Sequence, residues 1–174
     1  MRRSASLLLV ALVGALAAAC SGTKAPPRAC LPVLVPRDAD TLIKFRPGPG
    51  RDPTDVMFEA RIADFVGTCD FARSGAATVD IKVTLDVRRG PANAGGTAAF
   101  TYFAAIPRYF PNPAGKREMP VQVAFKDALG RAVAQEELRL VLPIGRDEPT
   151  EDIPIYLGLQ LTPAEIEYNK SHRQ

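Results

Sequence analysis

The chain has 174 residues, with 22 Lys and Arg, 19 Asp and Glu, one His and no Trp, and a formal net charge of +3. A protein with nearly balanced charges lacks the clustered positive charge that supplies most non-specific affinity for nucleic acid, so we expect no nucleic-acid partner. The length is that of one domain, large enough to bury a hydrophobic core.

Residues 1–19 have the order of features of a secretory signal peptide. Arg2 and Arg3 precede an apolar run, residues 7–19, that ends in small side chains. A spanning helix needs roughly 20 apolar residues, and this run is shorter and ends at a small-residue site instead of a basic stop. We therefore predict that residues 1–19 are removed. Their removal takes away two of the 22 basic residues and no acid, so the mature chain is close to neutral.

The segment Ala17-Ala18-Ala19-Cys20 resembles the lipobox of bacterial lipoproteins. In that family the small residues fit the lipoprotein signal peptidase and the thiol accepts diacylglycerol, which implies that Cys20 becomes the lipidated first residue. The departure is Ala17, where the family prefers Leu. Ser21 stands where an Asp would mark inner-membrane retention, so the resemblance implies a lipid anchor in the outer membrane, facing the periplasm. The alternative is an ordinary signal peptide cut near Ala19, with Cys20 incidental.

With Cys20 assigned to the lipid, Cys30 and Cys69 remain as a pair in an oxidising compartment, where thiols are normally joined. We predict a disulfide between them. A metal site is the alternative, but two thiolates would need further soft or nitrogen ligands, and the single His172 lies in a polar tail. We therefore predict no metal and no cofactor.

Residues 20–35 mix small, polar and Pro residues, as expected for a lipidated N-terminus and tether, and we assign residues 36–174 to the domain. In that domain, short segments that alternate apolar and polar residues are separated by Pro, Gly, Asn and Asp. The clearest segment places alternate residues on one apolar face: Val79, Ile81, Val83, Leu85 and Val87. We predict seven strands, at residues 41–46, 55–66, 78–88, 97–106, 119–126, 131–142 and 153–161.

Three local features refine the strand pattern. Phe65 is out of phase with the alternation before it, which indicates a bulge near Ala63. A similar slip separates Val133 from Leu138. Residues 127–130 have a polar start and a Gly finish, which predicts a type I turn and a hairpin between the fifth and sixth predicted strands.

Seven strands without a long amphipathic helix between them favour an all-β fold: a single antiparallel β-sandwich of immunoglobulin or fibronectin type. A small barrel is the alternative. Near the C-terminus, Thr162, Pro163 and Glu165 form a capping-box pattern, which predicts a short helix as far as about Asn169.

Few residues point to catalysis. A nucleophile-and-base arrangement would depend on His172, and the glycines in the loop GPANAGG do not form a phosphate-binding fingerprint. Four acids cluster in a loop that lacks the ligand spacing of a calcium-binding loop, so we interpret it as a solvated turn: Asp147, Glu148, Glu151 and Asp152. We predict no catalytic residues.

The segment YFAAIPRYFPNP, residues 102–113, is the best candidate for binding a partner. Aromatic and Arg side chains on a loop stiffened by Pro can hold a partner at low ordering cost, so we predict that Arg108, Tyr109 and Phe110 form the contact. We expect the two aromatic residues to have different roles: Tyr109 points outward and contacts the partner, whereas Phe110 points into the core. The alternative is that Phe110 simply covers the core and the prolines shape the loop.

The phrases FRPGPGRDPTD, IADFVGTC, FPNPAGK and LQLTPAEIEYN, between residues 30 and 169, resemble a family of small uncharacterised lipoproteins of alphaproteobacterial type. The resemblance implies a lipoprotein of the periplasm and no particular activity. From this resemblance, the strand pattern and the scarcity of candidate catalytic residues, we expect a non-catalytic binding or envelope-assembly module. Its expected partners are the membrane, through the lipid, and another envelope protein. The alternative is a periplasmic hydrolase or small-ligand-capturing protein with a site at one end of the sandwich.

Overall fold

A computed structural model describes residues 28–126 and 130–172. Within them the chain forms eight β-strands and one C-terminal α-helix. The strands are β1 (Val33–Leu34), β2 (Thr41–Phe45), β3 (Val56–Phe71), β4 (Ala77–Arg89), β5 (Thr97–Ala105), β6 (Lys116–Ala124), β7 (Arg131–Leu142) and β8 (Ile155–Leu159), followed by α1 (Pro163–Ser171). All seven predicted strands are present, and β1 is additional.

The strands form two four-stranded sheets, which confirms the predicted β-sandwich over the small barrel. Sheet I has the order β1-β8-β5-β6 and sheet II the order β2-β3-β4-β7. Neighbouring strands are antiparallel except for β1 and β8, which pair in parallel through Val33 with Ile155 and Leu34 with Tyr156. Residues 28–35, which we assigned to the tether, therefore contribute a strand to sheet I.

The core lies between the sheets and follows the period-two alternation. Side chains on the inner face of β4 are at most 1% exposed: Val79, Ile81, Val83, Leu85 and Val87. Each such burial contributes about 1.5–3 kcal/mol relative to an exposed side chain. The alternation of β4 therefore fixes which face of the central strand points inward.

The predicted bulge in β3 is confirmed. The register between β3 and β4 shifts between Ile62 and Asp64, so Ala63 has no partner opposite it. Before the bulge Ile62 faces the core, and after it Phe65 takes over, opposite the buried Val83. The extra residue keeps both halves of a strand of 16 residues directed at one core.

Two other local predictions are wrong. The strands β7 and β4 pair without a register shift, and Val133 is 63% exposed because it lies on the outer face of sheet II. The strands β6 and β7 do not form a hairpin, because the chain crosses from sheet I to sheet II between them. Gly130, the last residue of the predicted turn, has a left-handed φ of +63°, whereas residues 127–129 of that turn lie outside the described residues.

The helix α1 begins as predicted. The Thr162 hydroxyl accepts a hydrogen bond from the Glu165 backbone N–H at 3.3 Å, and the Glu165 carboxylate accepts one from the Thr162 N–H at 2.8 Å. This reciprocal pair satisfies donors that the first turn would leave free. The helix continues to Ser171, two residues beyond the predicted end.

The sandwich has two ends, which we name by what they carry. The Arg28 end holds Arg28 and the loops at residues 72–76, 106–115 and 143–154, and it is held together by hydrogen bonds between them. The helix end holds the start of α1, the loops at residues 46–55 and 90–96, and the described residues that follow β6 and precede β7, which are 125–126 and 130. There Phe125 N–H bonds to the Gly96 carbonyl at 2.9 Å.

Candidate functional site

The loop between β5 and β6 is a compact structure held by its own backbone. It consists of two 3₁₀ turns, Pro107–Tyr109 and Pro113–Gly115, and each has Pro at its first position, where the fixed φ suits a helical turn. The Ile106 N–H bonds to the Gly115 carbonyl at 2.7 Å and closes the loop. A Cβ on Gly115 would lie 2.6 Å from the Phe110 nitrogen, so the two turns pack too closely for any other residue.

Phe110 points outward and Tyr109 points inward, the reverse of the predicted division. Phe110 is 72% exposed, whereas Tyr109 is partly buried and packs against the core. The 3₁₀ turn explains the difference. With three residues per turn, Tyr109 lies on the same side as Ile106, which is buried, and the next residue is rotated away from the core. The alternative interpretation, in which the Phe110 side chain covers the core, is therefore also wrong.

Arg108 is engaged by the neighbouring loop. Its guanidinium forms an ion pair with Glu148, whose carboxylate also accepts a hydrogen bond from the Gly145 N–H at 2.9 Å. Burial raises the pKa of Tyr109, the nearby Glu148 raises it further, and Arg108 opposes both. Of the three predicted partner-binding residues, Phe110 has the most exposed side chain.

The start of the described chain is fixed beside this loop. Arg28 donates hydrogen bonds to the carbonyls of Gly75 at 3.2 Å, Gly145 at 2.9 Å and Glu148 at 2.6 Å. Its guanidinium also lies 4.6 Å from the centre of the Phe71 ring. Arg28 and the Phe110 loop therefore bind the same segment around Glu148.

The predicted disulfide is present between Cys30 and Cys69, with the two Cα atoms 5.5 Å apart. It joins the N-terminal segment to β3 of sheet II, while β1 joins the same segment to sheet I. The lipidation site predicted at Cys20 lies outside the described residues.

A second feature, a cavity of about 300 Å³, lies at the helix end between β2, the loop after it and α1. Its aromatic wall is formed by Phe45 and Tyr168, whose rings meet edge to face at 5.0 Å, and Arg51 lies 5.3 Å from the Phe45 ring centre. The Pro- and Gly-rich sequence of residues 45–53 indicates only a turn between strands. The spacing of apolar residues in the sequence does not show that the C-terminal helix packs against this loop.

The cavity is poor in groups that could act as acids or bases. Among the residues that line it, Glu165 is the one carboxylate, and it is paired with Lys44 at 3.0 Å. Burial raises the pKa of Glu165, but hydrogen bonds from Thr162 and Lys44 outweigh burial and leave the pKa below its usual value. The carboxylate is thus held in its charged form by neighbours that help fix the helix.

Tyr102 is the largest fully buried side chain of the core. Burial raises its pKa to about 12, with Glu136 adding to the rise and Arg117 opposing it. The phenol is therefore neutral at physiological pH and has no accessible surface through which to act on a ligand.

On the outer face of sheet II, charged side chains of β4 pair with charged side chains of β7. Arg139 pairs with Asp80 at 2.7 Å, and Lys82 with Glu137 at 3.2 Å, across neighbouring strands. Exposed pairs of this kind add little stability, but they occupy these charges of β4 and β7. This face is consequently a weaker candidate for binding than the Phe110 loop.

In the acidic loop at residues 147–152, the Glu148 carboxylate accepts a hydrogen bond from the Gly145 N–H and pairs with Arg108, so it stabilises the loop itself.

Within the ranges 28–126 and 130–172, no three His, Cys, Asp or Glu side chains are grouped so that they could hold a metal ion. Over the same ranges, no helix is both long and apolar enough to cross a membrane. No family model matches the chain, and no curated protein or solved structure is significantly similar to it.

Proposed function

We propose that the protein is a non-catalytic binding or assembly module, lipid-anchored through Cys20 to the periplasmic face of the outer membrane. Its contact site is the loop at residues 106–115. The observation that carries the proposal is Phe110, a large apolar side chain that is 72% exposed on a loop closed by backbone hydrogen bonds and braced by Glu148. Because the loop is already ordered, binding there loses little conformational entropy.

The alternative is a hydrolase or a small-ligand-capturing protein that uses the cavity at the helix end. Hydrolysis by paired carboxylates needs a second acid near the first. The cavity lining offers Glu165 alone, and its carboxylate is occupied by Lys44 and Thr162. The binding module is therefore the better supported function.

The anchor is tested by separating the membranes of cells that express the natural chain or Cys20→Ser. We expect the natural chain in the outer-membrane fraction with the mass of a diacylglyceryl group, and Cys20→Ser as an uncleaved or soluble protein. The matched control is the double variant Cys30→Ser/Cys69→Ser, which lacks two other cysteines and should stay in the membrane. Mature Cys20→Ser in the outer membrane would contradict the anchor.

The contact site is tested by placing a photo-crosslinking amino acid at position 110 in cells. Position 133 is the matched control, because Val133 is also an exposed apolar side chain but lies on the outer face of sheet II. We expect a specific adduct, to a protein or a lipid, from position 110 and none from position 133. Equal labelling at both positions would refute the contact site.

A further inference from the structure

We infer that the surface contacted by the Phe110 loop is the lipid bilayer itself, with the Phe110 ring inserted among the headgroups and upper acyl chains. This inference rests on the proposed lipid anchor at Cys20 and names the partner of the proposed contact site.

The first argument is the length of chain between the anchor and the domain. Arg28 follows Cys20 by eight residues, and even a fully extended chain of this length spans only about 28 Å. Arg28 is held at one end of the sandwich by its three hydrogen bonds to backbone carbonyls. An acylated Cys20 thus keeps the Arg28 end close to the bilayer and leaves the helix end farther away.

The second argument is the position of Phe110 relative to Arg28. Arg28 donates to the Glu148 backbone carbonyl, and the Glu148 side chain pairs with Arg108, two residues before Phe110. Two contacts therefore connect Arg28, where the described chain begins, to the turn that presents Phe110. The most exposed aromatic ring among the described residues projects from the end that the tether brings to the membrane.

The third argument is the chemistry of the Arg28 end. Phe is one of the apolar residues that peripheral segments bury at the boundary between headgroups and acyl chains, and Arg side chains can lie along such a boundary while their guanidinium groups stay in water. Arg28 and the three loops of this end carry equal numbers of basic and acidic residues. The four basic residues are Arg28, Arg73, Arg108 and Arg146, and the four acidic residues are Asp147, Glu148, Glu151 and Asp152. With the charges balanced, the contact must depend on the apolar ring and should change little with salt.

A single aromatic ring binds a bilayer weakly, but the acyl chains on Cys20 already hold the domain at the membrane. Once the anchor holds the domain at the surface, ring insertion becomes an intramolecular event at high effective concentration. The ring then sets orientation, because it restricts which side of the tethered domain faces the lipid. The rival occupant, an envelope protein bound to the same loop, is distinguished by the experiment below.

The chain contains no Trp, so Phe110→Trp introduces a single fluorescent reporter at the proposed contact. The acylated protein is reconstituted into phosphatidylethanolamine and phosphatidylglycerol vesicles, with or without lipids brominated in the upper acyl chain. The matched controls are Val133→Trp on the outer face of sheet II and Ala94→Trp in an exposed loop at the helix end. Flotation of the vesicles measures anchoring independently of fluorescence.

We expect the emission of the Phe110→Trp variant to shift to the blue and to fall about twofold with brominated lipid, as for an interfacial aromatic. The emission of the two control variants should stay unchanged, and high salt should leave the quenching at position 110 intact.

The inference is overturned if the reporter at position 110 is unquenched in floated protein, if all three positions are quenched alike, or if quenching disappears in salt. A blue shift at position 110 that needs added envelope extract in place of lipid also overturns it, and assigns the loop to a protein partner. Failure of the protein to float refutes the anchor and, with it, this inference.

Discussion

Removal of the Cys30–Cys69 disulfide is the perturbation whose size follows most directly from the structure. The bond joins residues 39 apart, so it closes a loop of about 40 residues that contains β1, β2 and most of β3. In the chain-entropy model, closing a loop of this length stabilises the folded state by about 4 kcal/mol, because it restricts the unfolded chain. We expect Cys30→Ala/Cys69→Ala to lose about that amount of unfolding free energy.

The assay is urea and thermal unfolding of the mature chain in three forms: oxidised, reduced, and the double alanine variant. At this chain length, a loss of about 4 kcal/mol corresponds to a fall in Tm of about 10 °C. The reduced chain and the double variant should unfold alike, because both lack the same constraint. The dependence of stability on urea should also steepen, since the unfolded chain exposes more surface.

Two results would refute this reasoning. A loss below about 1 kcal/mol would mean that β1 and the Arg28 hydrogen bonds already restrict the segment without the disulfide, or that the unfolded state stays compact. A reduced chain much more stable than the double variant would mean that the alanine substitutions themselves damage packing near Cys69, which packs against the core.

Two further predictions concern the two adjacent aromatic residues of the loop at residues 106–115 and the Glu165 carboxylate at the start of α1. Tyr109→Ala should cost about 2 kcal/mol of stability because the ring packs against the core, whereas Phe110→Ala should stay within about 0.5 kcal/mol of the natural chain because its ring is exposed. Urea unfolding measures both, and equal losses would contradict the orientation. The lowered pKa of Glu165 stabilises the fold fully above its unfolded pKa of about 4.3, and this stabilisation is lost as pH falls through the folded pKa. Between about pH 6 and pH 3 the natural chain should therefore lose stability more steeply than Glu165→Gln, and parallel curves would exclude the contribution.

Most of the strands could be predicted from the sequence because they bury a single face. The alternation in β4 is enough to identify both the strand and its inner residues, and the change of phase at Ala63 identifies the bulge. The pairing of strands is a different matter. A turn-forming sequence after β6 indicates where a strand ends, but it does not specify which sheet the next strand joins. Likewise β1 has two residues, too few to show any period.

The candidate site shows the same limit. Composition correctly identified the loop as aromatic, basic and rich in Pro, but it could not tell which of two adjacent aromatic rings is buried. The spacing carried the missing signal: Tyr109 follows the buried Ile106 by three residues, across a turn that begins at Pro107. The cavity at the helix end depends on where α1 returns against β2, a long-range arrangement that no local pattern contains.

The length of β3 has a consequence for reach. Its 16 residues extend for about 50 Å at the usual rise of a strand, from the helix end to the Arg28 end. Under the proposed orientation, the sandwich acts as a rigid spacer that stands upright on the outer membrane. The cavity beside Phe45 would then be held about 50 Å into the periplasm, at a height fixed by a strand and not by a flexible linker.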